Sequence, residues 1–315
     1  MRVISSAEID RALTFPALVD ALAEAFRSDM VTPVRHHHEI EREGSHGTLL
    51  LMPSWTGPAA QGGFVGVKVV SVFPENGKRD LPSVMGSYLL MNGETGQPVA
   101  VLDGTRLTVW RTAAASALAA RHLARPDASR MVMVGSGALA PFLIRAHMSQ
   151  RPIREVSLWN HRPEKAEAMA AQLCAEGLPV TAVTDLEAAV TEADLVSCAT
   201  LSTAPIVKGA WLKEGAHLDL VGAFNMNMRE ADDEALRRGQ VYVDTDAARS
   251  EGGDVAVSIQ AGGIPQSHVR GTLFDLCRAP PQRNEKAVTV FKSVGTALED
   301  LAAAMLVWHL LANPS

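Results

Sequence analysis

From Arg130 to about residue 243 the sequence alternates short apolar segments with amphipathic ones, and this alternation constrains the fold more than any other feature. Segments such as MVMVG, VSLWN, LVSCAT and HLDLVG have the length of buried strands, and helix-length segments separate them. Strands and helices that alternate in this way form a parallel sheet with helices on both faces. The pattern therefore predicts an α/β fold that contains a Rossmann-like domain.

The residues before this region, 1 to about 112, follow a different pattern. A helix-rich entry precedes the strand-like segments TLLLMPSW, FVGVKVVSVF, SVMGSYLLMN and PVAVLD, and turn residues separate the last two. These segments predict an α+β domain with an antiparallel sheet. A strong helix former, RTAAASALAARHLA, comes next, with Thr108 as its predicted N-cap and Pro126 after its end.

Composition excludes several classes of function. The chain of 315 residues has a formal net charge of −6 and no basic run, which argues against a nucleic-acid partner. Its 3 cysteines are odd in number and far apart, so a reducing compartment, and hence the cytoplasm, is expected. The N-terminus lacks a signal pattern, and the longest apolar helical run, at 301–308, is too short to cross a membrane.

A glycine motif, Gly135-Ser136-Gly137-Ala138-Leu139-Ala140, directly follows the strand MVMV and opens a helix. Gly135 and Gly137 allow a tight turn and a close approach to a pyrophosphate, which the free N–H groups of the helix then bind. In the order strand, motif, helix and strand, this is a dinucleotide-binding fingerprint. The alternative is a tight turn without a ligand.

The end of the second strand indicates which dinucleotide is bound. An NAD site places a carboxylate there for the ribose 2′-hydroxyl, whereas this sequence has Asn160-His161-Arg162. Without the carboxylate a 2′-phosphate is not repelled, and Arg162 can pair with it. We therefore predict that NADPH is preferred, with NADH also possible.

A lone lysine, Lys68, interrupts the apolar strand FVGVKVVSVF. A buried ammonium needs an anion or a hydrogen-bond network, because burial disfavours its charge. The alternative is a lysine whose head reaches solvent. Arg111 would lie in the first turn of its helix if Thr108 is the cap, where a ligand carboxylate could use both the guanidinium and the helix N-terminus. A solvated arginine is the alternative, and Arg35 is a weaker candidate by itself.

The sequence predicts no metal site. His36, His37 and His38 are adjacent, so that successive side chains diverge and do not readily share one ion. C-x-x-C, H-x-x-x-H and G-x-S-x-G patterns are absent, which leaves zinc and serine-hydrolase chemistry without support.

Taken together, these residues resemble the ornithine cyclodeaminase/μ-crystallin family over nearly the whole chain. The segments that carry the likeness are TPVR (32–35), GVKVVSVFPEN (66–76), LPSVMGSYLLMNGETGQPVAVLDG (81–104), the Arg111-Thr112 helix start, VGSGALA and FKSVGTALEDLA (291–302). The resemblance implies that Arg35, Lys68 and Arg111 hold the substrate carboxylate and serve the chemistry. It also implies that Ser83, Thr112, Thr200 and Ser293 lie near the cofactor and that Val294 lines the substrate pocket.

The same resemblance implies the domain organisation. Residues 1–112 would form a substrate-binding and dimerisation domain, completed by the C-terminal helix at 293–315, and residues 113–292 would form the Rossmann domain. A homodimer is expected. Two positions depart from the family pattern: Phe224 stands where ornithine-cyclising members carry an aspartate, and Leu139 stands where glutamine is common.

The leading hypothesis is an oxidoreductase of amino-acid metabolism that reduces small cyclic imino acids with NADPH. Δ1-pyrroline-2-carboxylate would give L-proline and Δ1-piperideine-2-carboxylate would give L-pipecolate, with Arg35 and Arg111 on the carboxylate and Lys68 serving the imine nitrogen. The alternatives are an ornithine cyclodeaminase or an alanine-type dehydrogenase that uses NAD, and a non-catalytic small-ligand binder like μ-crystallin. Phe224 argues against amine deamination, because it lacks an acid–base group.

Overall fold

The computed structural model describes residues 1–42, 45–58, 60, 63–79 and 81–312. The chain divides into two compact units, Met1–Thr112 with Thr296–Ser315, and Ala113–Gly295. The sequence prediction placed these boundaries after residues 112 and 292. One unit contains a mixed sheet and the other a parallel sheet, so the predicted α/β fold class is confirmed.

The strands and helices follow one another in two series. The strands are β1 (Arg2–Ile4), β2 (His36–Arg42), β3 (Ser45–Trp55), β4 (Phe64–Val72), β5 (Val84–Asn92), β6 (Pro98–Asp103), β7 (Arg130–Val134), β8 (Glu155–Trp159), β9 (Val180–Ala182), β10 (Leu195–Cys198), β11 (His217–Leu220), β12 (Gln240–Val243), β13 (Val269–Thr272) and β14 (Thr289–Lys292). The helices are α1 (Ser6–Ala12), α2 (Phe15–Arg27), α3 (Gly104–Leu123), α4 (Ala140–Gln150), α5 (Pro163–Ala175), α6 (Leu186–Glu192), α7 (Asp233–Arg238), α8 (Gly253–Gln260), α9 (Leu273–Arg278) and α10 (Ala297–Ala312). Short 3-10 helices span Pro74–Arg79, Gly209–Trp211, Asp246–Arg249 and Gln266–His268.

The sheet of the first unit has the strand order β1-β6-β5-β4-β3-β2. All neighbouring strands are antiparallel except β1, which runs parallel to β6. The four strands predicted from apolar segments are confirmed as β3 to β6. The prediction missed β1, which has only 3 residues. It also missed β2, whose sequence HHHEIER is almost entirely exposed and has no apolar periodicity.

One face of β4 explains why a lysine is tolerated there. Phe64, Gly66, Lys68 and Val70 are buried, whereas the residues between them, pointing the other way, are more exposed. The buried face is covered by α10, which contacts β3, β4, β5 and α2. This helix is apolar around most of its circumference, as expected of a helix at the centre of a core.

The predicted start of α3 was wrong. The helix begins at Gly104, and the Asp103 carboxylate accepts a hydrogen bond from Arg106 N at 2.8 Å, which is the interaction of an N-cap. Thr108 lies inside the helix, where its hydroxyl donates to Gly104 O at 2.7 Å. Arg111 therefore lies beyond the first turn, and the helix N-terminus contributes nothing to an anion site at Arg111.

The second unit is built around an eight-stranded parallel sheet with the order β13-β12-β14-β11-β10-β7-β8-β9. The predicted strands from β7 to β12 are confirmed, and β13 and β14 were missed. The strand order reverses between β7 and β10, and ligands of such sheets bind at the carboxyl ends of the strands at this switch point. Among the described residues, no helix has both the length and the apolar character needed to cross a bilayer.

Candidate active site

The glycine motif turns sharply at the carboxyl end of β7. Gly135 has φ +107, and its N–H donates to Trp159 O at 2.8 Å. A Cβ at Gly135 would lie 2.6 Å from Ala199 O, so both the conformation and the packing require glycine. A Cβ at Gly137 would meet no atom within 4 Å, which leaves open space beside the turn. This geometry suits the close approach of a pyrophosphate.

A cleft of about 560 Å³ lies beside this turn. Its lining residues come from the carboxyl ends of β7, β8 and β10 and from the segments that follow them: Gly135, Ser136, Gly137, Trp159, Asn160, His161, Arg162, Lys165, Ala199, Thr200, Leu201, Ser202, Thr203 and Ile206. Five residues predicted for the cofactor are among them. Ala138 follows in the same turn and is exposed.

One end of the cleft is basic. Asn160 donates from Nδ2 to Ser136 Oγ at 2.7 Å and accepts from Arg162 N at 2.9 Å, so its amide links β8 to the glycine turn. Arg162 is exposed at the start of α5, and Lys165, which sequence reasoning missed, follows in the first turn. None of the described lining residues is acidic. This end of the cleft therefore presents two cationic side chains, Arg162 and Lys165.

The other predicted cofactor and pocket residues lie at several places in the chain. In the second unit, Ser293 is buried at the end of β14, and the half-buried Val294 donates its N–H to Asp244 Oδ2 at 2.7 Å. In the first unit, Thr112 is half-buried on α3, and Ser83, also half-buried, accepts from Phe73 N at 2.8 Å. Their contacts to a cofactor or a substrate remain predictions.

The lysine predicted to be functional is at the centre of an ion-pair cluster in the first unit. Lys68 is 2% exposed, and its Nζ lies 2.7 Å from Asp300 Oδ2. Thr108 Oγ1 accepts a longer hydrogen bond from Nζ, at 3.5 Å. Burial lowers the pKa of Lys68 to about 8, although Asp300 opposes that shift. The side chain is therefore a buried amine that can gain or lose a proton near neutral pH.

Arg111 belongs to the same cluster. Its Nη1 donates to Glu299 Oε2 at 2.6 Å, and its Nε donates to Asp300 Oδ1 at 3.1 Å. Asp300 thus contacts both cations, through one oxygen each. Sequence reasoning missed this role of Glu299 and Asp300, which lie in the first turn of α10. The cluster balances two cations with two carboxylates and is itself close to neutral.

A tyrosine completes the surroundings of Lys68. Tyr88 pairs with Lys68 across β4 and β5, and its hydroxyl has no hydrogen-bond partner among the described residues. Burial, and then the charge of Asp300, raise the pKa of Tyr88 well above its ordinary value, so the phenol stays neutral. A Cβ at Gly66 would overlap this hydroxyl, which explains the glycine inside β4.

Arg35, the third predicted cation, lies in the segment between α2 and β2 and is half-buried. The structure thus joins Lys68 and Arg111 through Asp300, whereas the contribution of Arg35 to the site remains a prediction. The nearby His36, His37 and His38 are exposed on β2. In the described part of the chain, no group of three His, Cys, Asp or Glu side chains could hold a metal ion.

Phe224 occupies the loop after β11, in the second unit. Phe224 is 51% exposed, although large aromatic residues are usually buried. Leu201, which follows β10 and lines the cleft, is 73% exposed. Two adjacent strands of the parallel sheet therefore end in loops that present apolar side chains.

Over nearly its whole length, this chain is similar to imino-acid reductases and to an alanine dehydrogenase. A Δ1-pyrroline-2-carboxylate reductase from Colwellia psychrerythraea is 33% identical over 321 residues, covering 99% of this chain and 100% of the relative. A Thermococcus litoralis Δ1-pyrroline-2-carboxylate reductase, solved with NADH and L-proline, superposes with a TM-score of 0.91 at 31% identity and covers 99% of this chain and 98% of its own. An archaeal alanine dehydrogenase dimer with bound NAD has a TM-score of 0.89 at 29% identity, with coverages of 99% and 96%.

The family model described as "Ornithine cyclodeaminase/mu-crystallin family" matches residues 1–313. The match spans the ion-pair cluster, the glycine turn and the loop at Phe224. This coverage and the full-length relatives confirm the family predicted from the sequence motifs. The chain belongs to the ornithine cyclodeaminase/mu-crystallin family.

Proposed function

We propose that this protein reduces small cyclic imino acids, Δ1-pyrroline-2-carboxylate or Δ1-piperideine-2-carboxylate, to L-proline or L-pipecolate with NADPH. The protein is an NAD(P)H-dependent oxidoreductase, and the solved structures similar to it include a Δ1-pyrroline-2-carboxylate reductase with bound NADH. The observation that carries the finer proposal is the buried Lys68, whose pKa is about 8 and which shares Asp300 with Arg111. Such a cluster offers one mobile proton beside a fixed guanidinium.

The residues of the first unit account for binding and proton transfer. Arg35 and Arg111 hold the substrate carboxylate, and the two carboxylates of α10 fix the orientation of the Arg111 guanidinium. Lys68 donates a proton to the imine nitrogen, since an ammonium with a pKa of about 8 is protonated at neutral pH and releases its proton readily. The reduced nicotinamide, when bound, supplies the hydride that adds to the imine carbon.

The preference for NADPH rests on the basic end of the cleft. Arg162 and Lys165 can pair with a 2′-phosphate, and the amide of Asn160 replaces the carboxylate that would repel it. The similar reductase from Thermococcus litoralis was solved with NADH. The proposal for this chain therefore rests on its own residues at this end of the cleft.

The loop at Phe224 favours imine reduction over deamination of ornithine. Release of ammonia requires a group that accepts and returns a proton at the substrate amine, and a phenyl ring cannot do this. A preformed imine needs only a held carboxylate, a hydride and one proton. An alanine-type dehydrogenase remains the second candidate, favoured by the similarity to the archaeal alanine dehydrogenase.

We also propose that the protein forms a homodimer and is located in the cytoplasm, as expected from the sequence. A row of apolar side chains crosses the outer face of the first unit's sheet through paired residues: Val3, Val101, Leu89, Val67 and Pro53. All are half-buried or exposed, so the face offers apolar area to a second copy. Sedimentation of the purified protein tests this, and Leu89→Asp should yield monomers.

The decisive experiment follows nicotinamide absorbance with both cyclic imino acids and both cofactors. We expect turnover of at least one imine with higher kcat/KM for NADPH than for NADH, and no ammonia from L-ornithine with NAD. Lys68→Ala should abolish most of the turnover. Release of ammonia from ornithine without imine reduction would instead identify the protein as a cyclodeaminase. Saturable binding of the imine without turnover with either cofactor would indicate a binding protein.

A further inference from the structure

A buried glutamate of the second unit connects two loops at the carboxyl edge of the parallel sheet. Glu230 is fully buried, and its Oε1 accepts from Thr200 N at 2.6 Å and from Thr200 Oγ1 at 2.9 Å. Its Oε2 accepts from Gly222 N at 2.7 Å and Ala223 N at 3.2 Å. One carboxylate therefore bonds the end of β10 and the loop after β11 at the same time.

A carboxylate suits this arrangement, because three of the four groups that bond to it are backbone N–H donors. A glutamine has a single carbonyl oxygen, so on one side its amide N–H groups would face a backbone N–H of Thr200 or of Gly222 and Ala223. Burial, and then the charge of the neighbouring Asp254, raise the pKa of Glu230 to about 7, and Lys292 and the hydrogen bonds from Thr200 oppose that rise. The backbone N–H of Glu230 is itself bound by Asp254 Oδ1 at 2.7 Å.

The packing around Glu230 is equally restrictive. A Cβ at Gly222 would overlap the backbone of Thr200, so these two segments are in direct contact. On the other side of the loop, Gly253 N donates to Ala223 O at 2.9 Å, and a Cβ at Gly253 would overlap the Met228 carbonyl. The loop that carries Phe224 is thus held from two sides and has little space in which to shift.

The same contact extends to the glycine turn. A Cβ on Gly135 would lie 2.6 Å from Ala199 O and 3.1 Å from Thr200 Cγ2. The glycine turn, Thr200 and the Gly222–Ala223 peptide therefore form consecutive layers, and Glu230 bonds two of the three. A displacement of Thr200 would therefore shift atoms both in the dinucleotide cleft and in the Phe224 loop.

We propose that Glu230 is a positioning residue that couples the cofactor cleft, at Thr200, to the loop of Gly222, Ala223 and Phe224. Glu230 is fully buried, and it acts by holding these two segments in one arrangement. The assignment of Phe224 to the substrate side rests on the proposed function. The coupling itself rests on the hydrogen bonds and packing alone.

Hydrogen exchange of the protein without cofactor tests the coupling independently of any reaction. We expect Glu230→Gln to retain protection in the core strands β7 and β11 and to lose it together at Thr200 and at Gly222–Ala223. Gly222→Ala separates the same segments by steric overlap and should give the same loss of protection at both. This variant replaces Glu230→Gln in the test if Glu230→Gln does not fold. Glu192→Gln, at an exposed pair with Arg130, is the control and should leave both segments protected.

Titration of each variant with NADPH, followed by fluorescence, gives the functional readout. The dissociation constant should rise about tenfold in Glu230→Gln, the scale of one lost hydrogen bond to a charged group. Loss of protection at only one segment, or paired loss with unchanged NADPH affinity, would overturn the inference. Absence of imine reduction in the wild-type protein would instead contradict the proposed function, since the exchange experiment needs no substrate.

Discussion

Lys68 Nζ lies 2.7 Å from Asp300 Oδ2, and both side chains are buried in the first unit. Asp300 stands on the last helix, so the charge that makes a lysine acceptable inside β4 comes from the far end of the chain. Burial lowers the pKa of Lys68 more than Asp300 raises it, and the outcome is a pKa of about 8. Lys68 therefore holds its proton at neutral pH and can release it when the pH rises slightly.

The rate of imine reduction should fall as pH rises through about 8. Reduction consumes a proton from Lys68, so only the ammonium form is active in this direction, and the reverse oxidation of L-proline should rise over the same range. Profiles of kcat against pH in both directions measure this. A Lys68→Arg variant keeps the charge without titrating there, so its residual activity should lack the step. A wild-type profile that is flat between pH 7 and about 9 would contradict the role of Lys68.

Neutralising Asp300 should move this step to lower pH. Asp300 raises the pKa of Lys68 by charge and by hydrogen bonding. In Asp300→Asn the effect of burial, which lowers this pKa, is therefore less opposed, and the pKa falls. Glu299→Gln, the comparison on the same helix, contacts Arg111 and should mainly raise KM for the imine. It should move the step less, because Glu299 raises the pKa of Lys68 less than Asp300 does. Breaking the buried pair should also lower the free energy of unfolding by about 3 kcal/mol, measured by urea denaturation. An unchanged pH profile in folded Asp300→Asn would show that Asp300 is only structural.

Removing the guanidinium of Arg111 should impair binding of the carboxylate. We expect Arg111→Ala to lower kcat/KM by an amount equivalent to roughly 2 to 5 kcal/mol. Arg111→Lys should recover little activity, because a lysine cannot reproduce the forked guanidinium that reaches both Glu299 and Asp300. Steady-state kinetics with the imine give the value. Arg121→Ala on the same helix is the comparison and should be close to wild type. Near-normal kinetics of Arg111→Ala would remove it from the site.

The basic end of the cleft should determine cofactor choice. We expect the preference for NADPH over NADH to fall by about 1 to 3 kcal/mol in Arg162→Ala and in Lys165→Ala, because each loses one hydrogen bond to a charged group. The kcat/KM with NADH should be nearly unchanged in both variants. Arg154→Ala removes the same charge before β8, at the opposite end of the strand, and is the control. Equal use of both cofactors by the wild-type protein would refute the 2′-phosphate assignment.

Local periodicity in the sequence was sufficient to predict most of the fold. The alternation of strands and helices, the glycine turn after β7 and the apolar strands β3 to β6 are each specified by neighbouring residues, because burial of one face imposes a repeat on the chain. The exposed β2 has no such repeat and was missed. The start of α3 was misplaced, because the choice between Asp103 and Thr108 as the cap depends on where the preceding strand ends.

The motifs identified the family and the candidate residues Lys68 and Arg111, but only the tertiary structure showed how their charges are balanced. Asp300 and Glu299 look like the first turn of an ordinary helix, and their pairing with residues on β4 and α3 requires α10 to pack onto the sheet. Glu230 is equally inconspicuous in the sequence, since its function arises from four donors on two other segments. Side-chain partners distant in sequence are set by packing, and no local pattern encodes which buried cation meets which carboxylate.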